Sequence, residues 1–399
     1  MIEFVSITNF KSLAEVHIPL GQFNCLVGMN GAGKSTVLQA LDFLSQLMRG
    51  DVSGWLERRQ WKASDLNCKL RRERNIGFEV CFRTSTGAKL YWWGVFNRTD
   101  LRCSHERVTL ISEAESGAQD MPCVALPLQL VRQNFRLDDR PEQRIAFAYQ
   151  GSILSALKDA ELSEPLLELR NALRSVRSLE LLSPHLLRKT ARASEHDIGA
   201  GGEKLSAYLD NIKGEAKTRL VALLQKFYPA LADFKITSQR SGWKKLSVFE
   251  QFGEQRLETE ALHLNDGLLR ILAVLTQADA GRSMLLLDEL ENGINQEMVE
   301  TLVDTLLQSP QQLLVTTHSP LLLNYLPDDV ARRAVLLAYK TPAGETRIRR
   351  FFDVPRMAAK LQGMGPGDAF VDTDLKLLTQ ECMALDRQEE EASGAKGAA

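Results

Sequence analysis

The chain has 399 residues, of which 44% are hydrophobic and 25% charged, and its formal net charge is −2. That composition supports a large core and excludes a disordered chain, and it gives no global attraction to nucleic acid or membrane, so any such surface is local. The six cysteines include no C-x-x-C pair, Met1-Ile2-Glu3-Phe4 does not read as a signal peptide, and no apolar run reaches ~18 residues. Reduced thiols, a cytoplasmic location and no membrane contact are expected.

In chain order, the apolar strand Phe23 to Val27 runs into Gly28-Met29-Asn30-Gly31-Ala32-Gly33-Lys34-Ser35, and a helical stretch follows from Thr36 to Met48. This is a G-x-x-x-x-G-K-[ST] phosphate loop in its proper strand-to-helix context. Its glycines let successive amides turn toward an anion, and the helix adds its positive end. The residues expected to hold nucleotide are Asn30, Gly31, Ala32, Gly33, Lys34, Ser35 and Thr36, with Lys34 on the β- and γ-phosphates and Ser35 on Mg²⁺.

Next comes a basic stretch. Arg58, Arg59, Lys62, Arg71 and Arg72, with Lys69 and Arg74, outnumber the local acids, and Trp55 and Trp61 lie among them. Cations interleaved with aromatics make these candidate DNA-binding residues; the plainer reading is a solvated face with tryptophans in the core. Ile76 to Arg83, Ala88 to Asn97 and Cys103 to Ser112 read as strands of an antiparallel β subdomain. Residues 141 to 175 and 203 to 228 carry apolar residues at helical spacing, too short for a coiled-coil arm, and residues 232 to 262 read as two strands and a turn.

His263-Leu264-Asn265-Asp266-Gly267-Leu268 can cap a helix whose amides bind an anion, although N-D-G is also ordinary turn chemistry. Met284 to Leu287 is an apolar run ending in Asp288 and Glu289, which suits a buried parallel strand delivering acids at its C-terminal edge. Asp288 is expected to orient the Mg²⁺ shell, and Glu289 to polarise water as general base. A further strand, Gln312 to Thr317, places His318 before Ser319-Pro320, where an imidazole can face a γ-phosphate. Strands follow at Ala334 to Tyr339 and Thr346 to Phe352, then closing helices, and the tail with Glu389, Glu390 and Glu391 is expected to be disordered.

Together Gly28–Ser35, Asn265–Leu268, Leu285–Glu289 and His318 resemble the ABC-type ATPase heads of the RecF, SMC and OLD group. Ile7-Thr8-Asn9-Phe10-Lys11-Ser12-Leu13 looks like the first strands of those heads, and Glu291-Asn292-Gly293-Ile294 looks like their D-loop. Leu182-Ser183-Pro184 and Gly201-Gly202-Glu203 resemble a compact bacterial subgroup. The fold implied is α/β: a P-loop NTPase with an ABC-type head, an antiparallel β subdomain and a short helical insert. The expected domains are 1–140 with the phosphate loop, 141–230 as helical insert, 231–385 with signature, acids and switch histidine, and 386–399 as tail.

The resemblance implies an ATPase using ATP and Mg²⁺, with Glu289, His318 and Lys34 catalytic. Asn265, Asp266 and Gly267 would complete a partner's site, Glu291 and Asn292 would form the D-loop, and the pair would be a head-to-tail homodimer closed by ATP. Departures are Asn265 where Ser is usual, Leu268 where transporters have Gln, Asn295 in place of a His, and no evident Q-loop, for which Gln133 and Gln150 are candidates. Phe10 and Lys11 lie near where the resemblance puts the base. Asp368, Asp372 and Asp374 crowd one loop without Toprim spacing, so no nuclease activity is expected of this chain. The implied role is to act on or sense DNA, in repair or anti-phage defence. The alternative is a nucleotide-gated scaffold or sensor that regulates a separate effector, nuclease or toxin chain.

Overall fold

A computed structural model of the chain describes residues 1–112, 123–193 and 197–397. It divides into two units, Met1–Val176 with Pro327–Ala399, and Arg177–Leu326.

The first unit is built on an antiparallel sheet. Its strands are β1 (Ile2–Phe10), β2 (Leu13–Pro19), β4 (Asn75–Arg83), β5 (Lys89–Asn97), β6 (Arg102–Ser112), β7 (Cys123–Val131), β8 (Asn134–Leu137) and β9 (Gln143–Arg144), with β3 (Phe23–Val27) lying elsewhere. The order is β2-β1-β4-β5-β6-β7-β8-β9. Alternation sets one face inward: Val5, Val80, Trp92, Val108, Leu128 and Leu137 stand side by side across the sheet, all buried. Each such side chain removed from water contributes about 1.5–3 kcal/mol. The opposite row, Ser6, Glu79, Trp93, Arg107, Gln129 and Arg136, is mostly polar.

Strand β3 is buried at every position, which explains its unbroken apolar run. It pairs in parallel with β16 (Val335–Lys340), and β16 pairs antiparallel with β17 (Thr346–Arg350). The helix Lys34–Arg49 follows β3 and closes on Gly50 at φ 74°. The final helix, Leu375–Gly397, runs through the segment expected to be a disordered tail. Its acids explain the difference: Arg349 bonds Asp386 at 2.7 Å and Glu389 at 2.6 Å, and Tyr339 bonds Asp386 at 2.5 Å.

The second unit carries a parallel set, β10 (Arg177–Ser178), β14 (Met284–Leu287) and β15 (Gln312–Thr316). It also has a separate antiparallel sheet of β11 (Leu231–Ser238), β12 (Lys244–Phe252) and β13 (Gln255–Glu260). The sequence pattern suggested two strands there; the Gly253 turn at φ 61° adds the third. Its helices include Leu205–Asn211, Glu215–Gln225, Asp266–Ala278 and Gln296–Leu307.

The expected insert at 141–230 is divided, with residues up to Val176 in the first unit and the rest in the second. Between 141 and 175 the helix is confined to Glu164–Ser175, because Gly151 at φ 71° and the cap at Ser152 hold the preceding chain in short turns. Among the described residues no helix is long and apolar enough to cross a membrane.

Candidate functional site

In the first unit, the loop Gly28 to Gly33 turns through positive φ at Gly28 (144°), Gly31 (76°) and Gly33 (106°). A Cβ at Gly28 would lie 2.2 Å from the carbonyl oxygen of Ala338, and one at Gly33 would lie 2.4 Å from Thr346 Oγ1. Strands β16 and β17 therefore back the loop so closely that only glycine fits at these two turns. Thr346, fully buried, donates its hydroxyl to the carbonyl of Ala32 at 2.9 Å.

Lys34 is 6% exposed, and its ammonium donates to the carbonyls of Gly28 at 3.0 Å and Met29 at 3.3 Å. A cation held on two loop carbonyls, beneath the exposed Asn30 and Gly31, sits where an anion would be met. Ser35 and Thr36 follow in the first helical turn. The cradle that a Cβ would fill, the buried ammonium and the helix N-terminus fit a nucleotide's phosphates and their accompanying Mg²⁺.

The basic stretch takes a different form from the expected DNA surface. Arg59 lies 2.8 Å from Asp42, with side chains 6% and 10% exposed. Asp42 also accepts the Trp55 indole N–H at 2.7 Å, and the Arg59 guanidinium stacks on Trp55 and Trp61, 5.2 and 4.8 Å from the ring centres. Arg59 and Trp55 are thus core residues, so Arg59 is withdrawn as a DNA contact. Arg58 pairs with Asp51 at 3.0 Å and Arg71 with Glu15 at 3.6 Å, while Lys62 and Arg72 are exposed.

Phe10, 0% exposed and stacked on Phe43, cannot receive a base. Lys11 lies 3.1 Å from the ring centre of Trp61 and donates to Gln39 at 2.8 Å. Of the Q-loop candidates, Gln150 accepts the Ser53 amide at 2.9 Å and Gln133 is exposed.

In the second unit the signature, the acids and the switch residue are brought together. Asn265 caps the helix Asp266–Ala278, accepting the Leu268 amide at 2.7 Å and the Tyr228 hydroxyl at 3.3 Å. Arg188 donates to the Leu264 carbonyl at 2.7 Å and pairs with Asp266. A Cβ at Gly267 would lie 2.9 Å from the carbonyl of Gly293, so the signature and the turn after the acids touch through backbone.

Strand β14 is followed directly by Asp288, which accepts the Thr316 hydroxyl at 2.5 Å. Thr316 in turn accepts the amide of Glu289 at 2.8 Å. Glu289 stands at φ 47°, an uncommon conformation for a non-glycine residue and one that surrounding bonds must hold. Arg270 helps hold it, donating to the carbonyls of Asp288 and Glu289, each at 2.9 Å. Burial lowers the Arg270 pKa, opposed by the charges of Glu289, Glu291 and Asp288.

The Glu289 carboxylate is left half exposed, and its Oε1 lies 3.8 Å from His318 Nε2. Asn292 donates to Glu289 at 3.4 Å, and Glu291 accepts the amides of His318 at 2.8 Å and Ser319 at 3.1 Å. A carboxylate presented on a strained turn beside an imidazole can take a proton from water. Arg270 and Thr316 were missed from sequence. Their position, five residues into a capped helix and two before His318, is the signal that was there to be used.

Two family models match this chain. Residues 1–101 match an AAA ATPase domain. Residues 132–324 match a family described as "AAA domain, putative AbiEii toxin, Type IV TA system". An OLD nuclease of Thermus scotoductus is 33% identical over 102 residues, which are 26% of this chain and 17% of that one. The chain thus matches about a sixth of the length of this curated relative. Among solved structures, an SMC head bound to the C-terminal winged-helix domain of ScpA aligns over 87% of this chain and 96% of its own, with a TM-score of 0.53 and 14% identity. That likeness concerns the fold, and it agrees with the α/β, ABC-type head expected from the motifs. Together the two AAA family models, the OLD nuclease match and the fold support an ATPase head of the ABC, SMC and OLD-like kind, the resemblance that the motifs carry.

Proposed function

We propose that this chain binds and hydrolyses ATP and switches by closing head to tail on a second copy, each copy's signature completing the other's nucleotide site. The observation that carries the reading is the acid turn: Glu289 held at φ 47° with its carboxylate open to solvent, 3.8 Å from His318. Lys34 neutralises the β- and γ-phosphates, and Ser35 and Asp288 hold Mg²⁺, which when bound draws charge off the phosphates. Glu289 takes the proton of the attacking water. His318 faces the γ-phosphate and registers its loss. Asn265, Asp266 and Gly267 present a helix N-terminus to the partner's nucleotide, with Glu291 and Asn292 as D-loop.

The dimer cycle acts on or senses DNA, in repair or anti-phage defence. A second reading, a sensor that gates a separate effector or nuclease chain, is favoured by the pairing of Arg58, Arg59 and Arg71 with acids, which leaves fewer free cations for DNA. It is favoured too by the relative named as a nuclease, of which this chain matches a small part.

ATP turnover and mass by light scattering, with and without duplex DNA, test both. Wild type should turn over ATP; Lys34→Ala should lose nucleotide binding; Glu289→Gln should bind ATP and run at twice the monomer mass. Normal hydrolysis by Glu289→Gln would remove Glu289 as base. DNA stimulation supports the first role, and DNA-indifferent turnover supports the second.

A further inference from the structure

The turn after strand β14 and the segment after strand β15 meet through one side chain. Glu291 lies two residues beyond Glu289, and its Oε1 accepts the amides of both His318 and Ser319, at 2.8 and 3.1 Å. Those amides open the short helix Pro320–Asn324, whose N-cap, Ser319, makes no cap with its own side chain. Glu291 thus takes the two amides just ahead of this helix, and the Ser319 amide is shared with Thr317 Oγ1 at 2.9 Å. The turn is held from its other side as well. Leu290 donates to the carbonyl of Thr316 at 3.1 Å, and Arg270 holds the Asp288 and Glu289 carbonyls. Glu291 Oε2 is buried without a hydrogen-bond partner among the described residues, in the field of Arg270.

We propose that Glu291 is a positioning residue, a clamp that fixes the His318 backbone to the turn carrying Glu289, so that imidazole and carboxylate enter the reaction as a preset pair. This assignment rests on the hydrolase reading above and gives Glu291 an intramolecular task distinct from the partner-facing one of a D-loop. His318 and Glu289 side chains are 39% and 49% exposed, so packing alone does not fix them, and their 3.8 Å separation is inherited from the backbones that carry them. Both backbones continue from buried parallel strands, and a single oxygen, Glu291 Oε1, ties them together by accepting both amides. Displacement by about 1 Å of a group that faces the reacting atoms costs up to about a hundredfold in rate.

Two readouts on Glu291→Ala and Glu291→Gln decide it. The first is amide hydrogen exchange across residues 317–324, which reads the clamp whether or not ATP is turned over. The second is ATP turnover resolved into kcat and KM, with Glu289→Gln in the same assay. Glu291→Ala should exchange the His318 amide about tenfold faster, with a smaller effect on the Ser319 amide, which keeps Thr317 Oγ1 as acceptor, and should lower kcat about ten- to a hundredfold, with KM within about threefold. Glu291→Gln keeps one acceptor oxygen and should recover most of both. Unchanged exchange in Glu291→Ala overturns the clamp, and so does faster exchange with wild-type kcat. If wild type turns over ATP no faster than Glu289→Gln, the hydrolase reading fails, and the exchange result alone then stands for or against the clamp.

Discussion

Arg59 and Asp42 form an ion pair in which each side chain is a tenth or less exposed, with Trp55 bonded to the same carboxylate. Removing one partner leaves the other charged and without its counter-ion in the core, which costs more than the pair itself contributes. Arg59→Ala is therefore expected to lower stability by about 3–5 kcal/mol in urea unfolding. A loss below about 1 kcal/mol, the range of surface pairs, would return Arg59 to the surface. Charge and aromatic spacing alone could not separate this core cluster from a nucleic-acid face, because both use the same residue types. The phosphate loop was legible for the opposite reason. Gly28 and Gly33 adopt φ of 144° and 106° against Ala338 and Thr346, and that requirement is written directly as glycine.

At the scale of elements, the inner face of the antiparallel sheet carries a carboxylate. Glu106 on β6, 1% exposed, accepts Ser152 Oγ at 2.5 Å, the Ile153 amide at 2.7 Å and the Trp92 indole N–H at 3.0 Å. The segment it holds is also tied to the phosphate-loop helix, since the Ser152 amide donates to the Leu47 carbonyl at 2.8 Å. Burial raises the Glu106 pKa to about 7, against the bonds from Ser152, Ile153 and Trp92, which lower it. Its folded pKa thus lies above the ordinary value of 4.5, so at intermediate pH the folded chain holds a proton that the unfolded chain has lost. This group's stabilisation is complete below pH 4.5 and is lost as pH rises through 7, on the order of 3 kcal/mol in all. Glu106→Gln, which cannot ionise but cannot satisfy all three donors, should be less stable at low pH and show a flatter fall between pH 4.5 and 7. Thermal melts across that window check it, and an unchanged slope would mean that Glu106 does not titrate there. Nothing in the β6 sequence pattern distinguishes Glu106 from a residue on the outer face, because its partners come from residue 92 and from residues 152 and 153.

For the molecule as a whole, head-to-tail pairing makes a sharp arithmetic prediction. Lys34→Ala removes a phosphate loop, and Asn265→Asp keeps the helix cap while placing a negative charge at the signature. Each variant alone should be inactive. Mixed in equal amounts, half the pairs are heterodimers with one intact composite site of two, so about a quarter of wild-type turnover should return. No recovery would mean that each chain completes its own site.

What the sequence determined by itself was the set of residues proposed for the chemistry, those of the phosphate loop, the acids, His318 and the Asn265 segment, since each motif is local and its residue types answer to short-range demands of backbone, charge and strand periodicity. The tertiary structure decided how those pieces are held. Arg270, Thr316 and Glu291 support Glu289 and His318 from across loops, Asp42 draws Arg59 inward, and Arg349 orders the acidic C-terminal helix. The physical reason is common to all of them. A polar side chain's role depends on which partner compensates its burial, and these partners lie from 17 to 40 residues away, a separation on which local pattern carries no information.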